Sequence, residues 1–259
     1  MKIDYSKFLE IAKLAALKAS DGIIEIYESG DFSIESKSDD SPLTLADKAA
    51  HYAIVAELEK TNIPILSEEG KTIPFEERKD WEQFWMIDPL DGTKEFIKRN
   101  GEFTVNIALI NSGKPVLGVV QVPVTGKLYF AISGKGAFAE VNGEINKIQV
   151  NEISLNQENL KVVASRSHLS DETQAFMDKL NKPEIVSMGS SLKLLAVAEG
   201  TADLYPRYAP TMEWDTAAAQ AIVESAGGVV LQKGLESPLA YNKENLLNPH
   251  FLVSCKILE

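Results

Sequence analysis

The run Phe84-Trp85-Met86-Ile87-Asp88-Pro89-Leu90-Asp91-Gly92-Thr93 places an apolar, strand-like stretch directly before two carboxylates and a hydroxyl. Enzymes with α/β architecture build sites where strands end. The run therefore predicts a strand ending at Asp88 and a functional turn after it. Pro89 fixes φ and removes a donor, and Gly92 permits backbone that other residues resist, so the turn can aim Asp88 and Asp91 at one point. Two converging carboxylates repel unless a cation sits between them. Oxygen ligands without a nearby thiol or imidazole favour Mg²⁺ over zinc, and Mg²⁺ completes its octahedron with water and phosphate oxygens. The segment reads as a metal-assisted phosphate site. An Asp-rich turn capping a helix that starts near Thr93 is the alternative, and the run alone leaves it open.

The 259 residues, 44% of them hydrophobic, suffice for one large domain or two closely joined halves. No apolar run approaches the roughly 20 residues needed to span a bilayer. The segment Met1-Lys2-Ile3-Asp4 lacks a secretory apolar region, so a cytoplasmic location is expected. A net charge of −12 argues against a nucleic-acid or anionic-membrane surface, although part of that acid can be held by cations. The single cysteine, Cys255, excludes an intrachain disulfide and a cysteine metal cluster, and its apolar surroundings predict a buried thiol. His51, His168 and His250 lack metal-ligand spacing, so no zinc site is expected.

Apolar positions at helical spacing predict a core helix over residues 4–27 and a second helix from residue 45 to about 59. A short strand over 63–66 ends at Ser67-Glu68-Glu69-Gly70. Residues 103–110, 116–124, 127–132 and 136–141 read as an antiparallel meander. From about residue 161 strands alternate with helices: strands at 161–165, 184–188 and 202–205, and helices from 171, over 190–199 and over 215–226. The last helix is closed by Gly227-Gly228 and followed by a strand at 229–231. The chain divides near residue 155 into an α+β half, 1–155, and an α/β half, 156–259. With no low-complexity linker between them, the halves are expected to pack together with the site in the crevice.

Glu68-Glu69 ends one strand as Asp88 ends another, and strands of one sheet bring their carboxyl ends together, so a third carboxylate becomes plausible at the site. Asp215, in Glu213-Trp214-Asp215-Thr216-Ala217-Ala218-Ala219, begins a helix whose small residues allow close packing. A helix cap explains Asp215 equally well. Gly189-Ser190-Ser191 precedes a helix, where N–H groups and hydroxyls suit a phosphate, and Lys193 adds charge one turn in. An ordinary serine cap is the competing reading. Arg207 reads alone as a surface or ion-paired residue, and Ser165-Arg166-Ser167-His168 as a polar strand-to-helix loop. Taken together, Glu68, Asp88, Asp91 and Asp215 supply enough carboxylates for two or three divalent ions, an arrangement that activates water and screens a phosphate ester.

These segments, in this order and over essentially the whole chain, resemble the inositol monophosphatase superfamily of Mg²⁺-dependent, lithium-sensitive phosphatases. The motifs are Glu68-Glu69, residues 85–93, and Trp214-Asp215-Thr216-Ala217-Ala218 followed by Ala226-Gly227-Gly228. The extension over residues 94–106, together with Ser165-Arg166-Ser167-His168, Gly189-Ser190-Ser191-Leu192-Lys193 and Leu204-Tyr205-Pro206-Arg207, is most similar to the bacterial 3'(2'),5'-bisphosphate nucleotidase branch.

The resemblance implies a layered α-β-α-β-α sandwich and hydrolysis of adenosine 3',5'-bisphosphate (PAP) to AMP and phosphate, a reaction of sulfur metabolism, with PAPS as a further candidate substrate. It implies that Glu68, Asp88, the Leu90 carbonyl, Asp91 and Asp215 hold two or three Mg²⁺ ions. Thr93 paired with Asp47 would position and deprotonate the attacking water; a hydroxyl is a poor base alone, and a carboxylate behind it is chemically reasonable. Substrate contacts would come from Gly92, Thr93 and Asp215, from Ser165, Arg166 and His168, from Gly189, Ser190, Ser191 and Lys193, and from Tyr205 and Arg207, with Arg207 on the second phosphate.

The expected partner is a small nucleotide, with no nucleic acid. Peripheral association with the inner membrane face and the oligomeric state are left open. An inositol monophosphatase or sugar bisphosphatase on the same scaffold is the nearest rival. Haloacid dehalogenase phosphatases place two aspartates one residue apart, a register that Asp88 and Asp91 do not fit. A nucleotide- or metal-binding regulator is the non-enzyme alternative, against which the water-activating pair argues.

Overall fold

The computed structural model describes residues 4–36, 42–164, 170–234 and 237–258. Helix α1 (Ser6–Ser29) is followed by the paired strands β1 (Glu35–Ser36) and β2 (Pro42–Leu43), then helix α2 (Leu45–Leu58) and strand β3 (Ile65–Ser67). Helix α3 (Phe75–Arg78), strand β4 (Gln83–Asp91) and helix α4 (Thr93–Ile97) come next. They lead into β5 (Thr104–Asn111), β6 (Lys114–Val122), β7 (Lys127–Ile132), β8 (Gly136–Val141) and β9 (Glu144–Ile148). The remainder comprises β10 (Glu152–Ile153), β11 (Lys161–Val163), α5 (Asp171–Met177), β12 (Glu184–Val186), α6 (Leu192–Ala198) and β13 (Leu204–Arg207). It closes with α7 (Glu213–Ser225), β14 (Val229–Gln232), β15 (Phe251–Ser254) and β16 (Lys256–Ile257).

Strands β3 to β9 form a seven-stranded sheet in sequence order, parallel between β3 and β4 and antiparallel thereafter. A second, five-stranded sheet has the order β12-β11-β13-β15-β14. The apolar runs of β4 and β5 are continuous because both faces of the larger sheet are covered. Trp85, Ile87, Val105 and Ile107 face the core under α1 and α2, whereas Phe84, Met86, Ala108 and Ile110 face the core between the sheets. Helices α6 and α7 fill that middle space, and α5 packs against β13 of the smaller sheet. The architecture is the five-layered α-β-α-β-α sandwich expected from the resemblance. Among the described residues no helix is long and apolar enough to cross a membrane.

The layers come very close at one point. A Cβ at Gly118 would lie 2.2 Å from the Ala218 carbonyl oxygen, so only glycine on β6 lets α7 seat at this depth. The alanines at 217–219 keep the matching helix surface equally thin. Residues of both sequence halves share this core, including Met86 and Val120 with Ala218 and Val230. Cys255 is buried, as its surroundings predicted. Several element bounds shift by a few residues from the sequence reading. Helix α6 begins only at Leu192, and β9 is an additional, largely exposed edge strand whose sequence Glu144-Ile145-Asn146-Lys147-Ile148 carries no alternating signal.

Candidate active site

Strand β4 does not stop at Asp88; it runs to Asp91 through a bulge. Asp88 pairs with Asn106 and Asp91 with Thr104, so three steps on β4 oppose two on β5. In an unbroken strand, residues 88 and 91 would point to opposite faces. The extra residue, at the point where Pro89 supplies no N–H to the ladder, turns both carboxylates to the face shared by Thr104 and Asn106. The convergence expected of a turn is achieved by a bulge.

The parallel β3 ends beside β4, and the Glu68 N–H continues the pairing to the Ile87 carbonyl at 3.2 Å. Asp215 is the third residue of α7, where its Oδ2 accepts the Met212 N–H at 2.9 Å. Capping and a place in the site, which the sequence left as alternatives, are thus both realised by one side chain. Oxygens of Glu68, Asp88 and Asp215 lie within 4.8 Å of one another. Burial, followed by the charges of Glu68, Asp91 and Asp215, pushes the Asp88 carboxyl well above the usual carboxylate range. Burial and Asp91 push Asp215 up to about 8. A buried set of repelling carboxylate oxygens without sulfur or imidazole fits a hard cation.

Asp47 sits at the equivalent third position of α2. Its Oδ2 accepts the Thr44 N–H at 2.7 Å and the Thr44 hydroxyl at 2.6 Å, which closes a capping box. Its Oδ1 accepts the Thr93 hydroxyl at 3.1 Å. That hydroxyl also lies 3.4 Å from the Leu90 carbonyl oxygen. Thr93 opens α4 after Gly92 at φ +93°, and a Cβ on Gly92 would lie 3.1 Å from the Glu102 carbonyl oxygen. The helix-cap alternative for Asp88 and Asp91 does not hold, because α4 has no side-chain cap.

Asp91 is held from the other half of the chain. Its Oδ2 accepts the Ser190 hydroxyl at 2.6 Å and the Ser191 hydroxyl at 2.9 Å. Ser190 is itself in left-handed backbone, φ +52°, a costly conformation for a residue with a side chain. The two hydroxyls are therefore turned to a carboxylate, not left free for an anion. Ser191 also reaches the Asp215 carbonyl oxygen at 3.0 Å.

A small cavity of about 150 Å³ beside Asp91 and Asp215 is lined by Gly92, Ser190, Lys193, Tyr205 and Arg207. It adjoins a cleft of about 620 Å³ that shares Lys193, Tyr205 and Arg207 and reaches Tyr208, Met188 and Gly189. Burial lowers the affinity of Lys193 for its proton. The Arg207 Nη2 donates to the Pro210 carbonyl at 3.0 Å, while its buried Nε has no hydrogen-bond partner among the described residues. Ser165, Arg166 and His168 lie outside the described residues.

Sequence reasoning overlooked Thr104 and Asn106. Thr104 shares a 2.7 Å hydrogen bond with Ser190 and donates to Asn106 Oδ1 at 3.3 Å, beside the two aspartates. Their signal was two polar residues at strand period in an otherwise apolar run whose faces are both buried.

Known proteins are similar to this one along nearly its whole length. The chain is 47% identical over 243 residues to the 3'(2'),5'-bisphosphate nucleotidase CysQ of Escherichia coli O157:H7, covering 92% of this chain and 96% of that protein. The crystal structure of CysQ from Bacteroides thetaiotaomicron, a bacterial member of the inositol monophosphatase family, superposes with a TM-score of 0.87 at 47% identity, over 98% of this chain and 99% of the other. The extragenic suppressor protein SuhB of Bartonella henselae gives 0.78 at 26% identity, over 96% and 94%. The model of the inositol monophosphatase family matches residues 4–253, and with the carboxylate set and the layered fold in place, the chain belongs to that family.

Proposed function

We propose that this protein is a Mg²⁺-dependent phosphatase that hydrolyses PAP to AMP and phosphate. The observation that carries the reading is the juxtaposition of Glu68, Asp88 and Asp215 with the Thr93–Asp47 pair, beside a cavity that Asp91, Asp215, Lys193 and Arg207 line and that adjoins a larger cleft. The name carried by the CysQ relatives supports the substrate. Glu68, Asp88, the Leu90 carbonyl, Asp91 and Asp215 would hold two or three Mg²⁺ ions. Bound there, the ions would lower the pKa of a water and screen the charge of the phosphate ester.

The chain's own groups then have distinct tasks. Asp47, with Oδ2 anchored, presents Oδ1 to the Thr93 hydroxyl, so that hydroxyl is oriented with a lone pair free for the attacking water. A proton leaving the water can pass to Asp47 through Thr93. Gly92 and Thr93 approach the scissile phosphate, with Ser190 and Ser191 fixing Asp91 beneath it. Arg207, whose Nε lacks a partner among the described residues, grips the phosphate that is not cleaved. Lys193, Tyr205 and Gly189 line the path between the two phosphates; the nucleoside contacts are assigned to Ser165, Arg166 and His168 on the family resemblance, and these three lie outside the described residues. The division of labour falls near residue 155: 1–155 supplies most metal ligands, and 156–259 supplies Asp215 and the substrate contacts. PAPS is the further substrate that this reading proposes.

The extent of the cleft beyond the carboxylates, about 620 Å³ against about 150 Å³ for the cavity beside Asp91 and Asp215, favours a nucleotide over inositol 1-phosphate. Phosphate release from a panel of PAP, PAPS, 3'-AMP, inositol 1-phosphate and fructose 1,6-bisphosphate, with Mg²⁺ and with EDTA, tests the assignment. Highest kcat/KM on PAP supports it, and a preference for an inositol or sugar phosphate overturns it. We place the enzyme in the cytoplasm; cell fractionation distinguishes this from attachment at the inner membrane face.

A further inference from the structure

The carboxylate set is drawn from two distant parts of the chain, so something must fix Asp215 relative to Glu68 and Asp88. Helix α3 lies between the strands that carry Glu68 and Asp88, and its last residue, Arg78, is buried at 2% exposure. The Arg78 guanidinium donates to four oxygens, none of them a carboxylate's. They are the carbonyls of Ile73 (3.4 Å), Lys243 (2.8 Å) and Glu244 (3.0 Å) and the Asn242 side-chain oxygen (2.8 Å). Asn242 returns the bond through its Nδ2 to the Arg78 carbonyl at 2.7 Å.

The segment so gripped clamps the start of α7. Glu213, completely buried, accepts the backbone N–H groups of Asn242 (2.7 Å) and Lys243 (3.0 Å) and the Lys243 ammonium (2.6 Å). Asn248 holds the Met212 carbonyl at 2.8 Å and the Thr216 hydroxyl at 3.0 Å. Glu213 and Thr216 flank Trp214 and Asp215 on α7. The chain of contacts therefore runs from the segment between Glu68 and Asp88, through Arg78 and residues 242–244, to Glu213 and the turn of helix that bears Asp215.

We propose that Arg78 is a positioning residue for the metal set, setting the separation of Asp215 from Glu68 and Asp88 through the 242–244 clamp. The inference rests on the reading of those three carboxylates as metal ligands. Removing a group that orients metal ligands directly typically changes metal affinity by about tenfold to a hundredfold; Arg78 acts on Asp215 through residues 242–244 and Glu213, so about the lower end of that range is expected. A planar guanidinium spread over four oxygens cannot be replaced by an ammonium, so Arg78→Lys breaks the fan while keeping the charge. Asn242→Gly removes both side-chain bonds at a position whose φ of +69° suits glycine.

The test is calorimetric titration of the purified full-length protein with Mg²⁺ alone, alongside kcat and KM at saturating Mg²⁺. Both variants should bind Mg²⁺ about tenfold or more weakly, with kcat at saturating Mg²⁺ changed far less. Tyr129→Phe, which removes a bond to Glu199 away from the site, serves as a control for general loss of stability and should bind Mg²⁺ as the wild type does. If Arg78→Lys does not fold, Asn242→Gly decides. Wild-type Mg²⁺ affinity in the variants overturns the positioning role while leaving the metal reading intact. Weakening of equal size in Tyr129→Phe also overturns it. Failure of the wild type to bind Mg²⁺ at all removes the metal reading, and this inference with it.

Discussion

Asp47 and Asp215 occupy the same position in two separate helices, each returning its Oδ2 to the backbone N–H three residues earlier, Thr44 at 2.7 Å and Met212 at 2.9 Å. A capping bond fixes the carboxylate at a helix start and leaves its second oxygen for other use. The second oxygen of Asp47 accepts from Thr93. Asp47→Asn should keep the fold, since an amide oxygen can still cap, yet lower kcat about 10²–10⁴-fold by removing the proton acceptor. Steady-state rates at saturating Mg²⁺ check this, and a loss below about fivefold would exclude Asp47 as the base.

Asp91→Asn should likewise fold, because an amide oxygen still accepts from Ser190 and Ser191. Turnover should drop about 10²–10³-fold through loss of one charge from the site. Near-normal activity at saturating Mg²⁺ would remove Asp91 from the ligand set.

The metal-free protein should lose stability as pH rises. The folded-state affinities of Asp88 and Asp215 for protons lie above the unfolded value, Asp215 at about 8. Between about pH 4 and pH 8 the native state thus binds more protons than the unfolded chain, and stability falls as those protons leave. Melting temperature in EDTA should decline across this window. The gain on adding Mg²⁺ should be larger at pH 8 than at pH 5, and Asp88→Asn should flatten the decline. A melting temperature in EDTA that rises from pH 5 to pH 8 in the wild type and is unaffected by Asp88→Asn would contradict the electrostatic account.

Cation dependence should follow the all-oxygen donor set. EDTA should abolish turnover, Ca²⁺ should compete with Mg²⁺ because it tolerates looser geometry, and Li⁺ should inhibit where Na⁺ does not. Rates measured across a matrix of these salts suffice, and persistence of activity in EDTA refutes the metal mechanism.

Arg207→Ala separates bisphosphate from monophosphate substrates. A charge-assisted contact contributes about 1.5–3 kcal/mol, on the order of tenfold to a hundredfold in affinity. The variant should raise KM for PAP by that factor and change 3'-AMP much less. Comparing kcat/KM on both substrates cancels general damage to the fold. Equal losses on both would falsify the placement of Arg207 on the second phosphate.

Much of the site was legible because its parts are short and local. Asp88-Pro89-Leu90-Asp91-Gly92-Thr93, Glu68-Glu69 and Trp214-Asp215 each announce an element end with chemistry attached. The mode of convergence was not legible: a bulge is a relation between β4 and β5, and nothing in residues 84–93 states that Asp91 pairs with Thr104. The Asp47–Thr93 pair came from family resemblance, since neither residue alone indicates the other. Arg78 and Asn242 are 164 positions apart, and nothing in the local sequence of either points to the other. Ser190 and Ser191 were visible as polar residues before a helix, but their bonds to Asp91 depend on how the halves dock.

Gly118 has no functional group, yet it governs the height at which Asp215 stands. Ala218, whose carbonyl oxygen would lie 2.2 Å from a Cβ at position 118, is three residues beyond Asp215 on the same helix. A side chain at 118 would lift α7 as a rigid rod and carry the carboxylate out of register with Glu68 and Asp88. The thickness of a backbone contact one turn further along the helix is therefore a ruler for the metal set. Sequence drift at this glycine should be as restricted as drift at a ligand, for reasons of length alone.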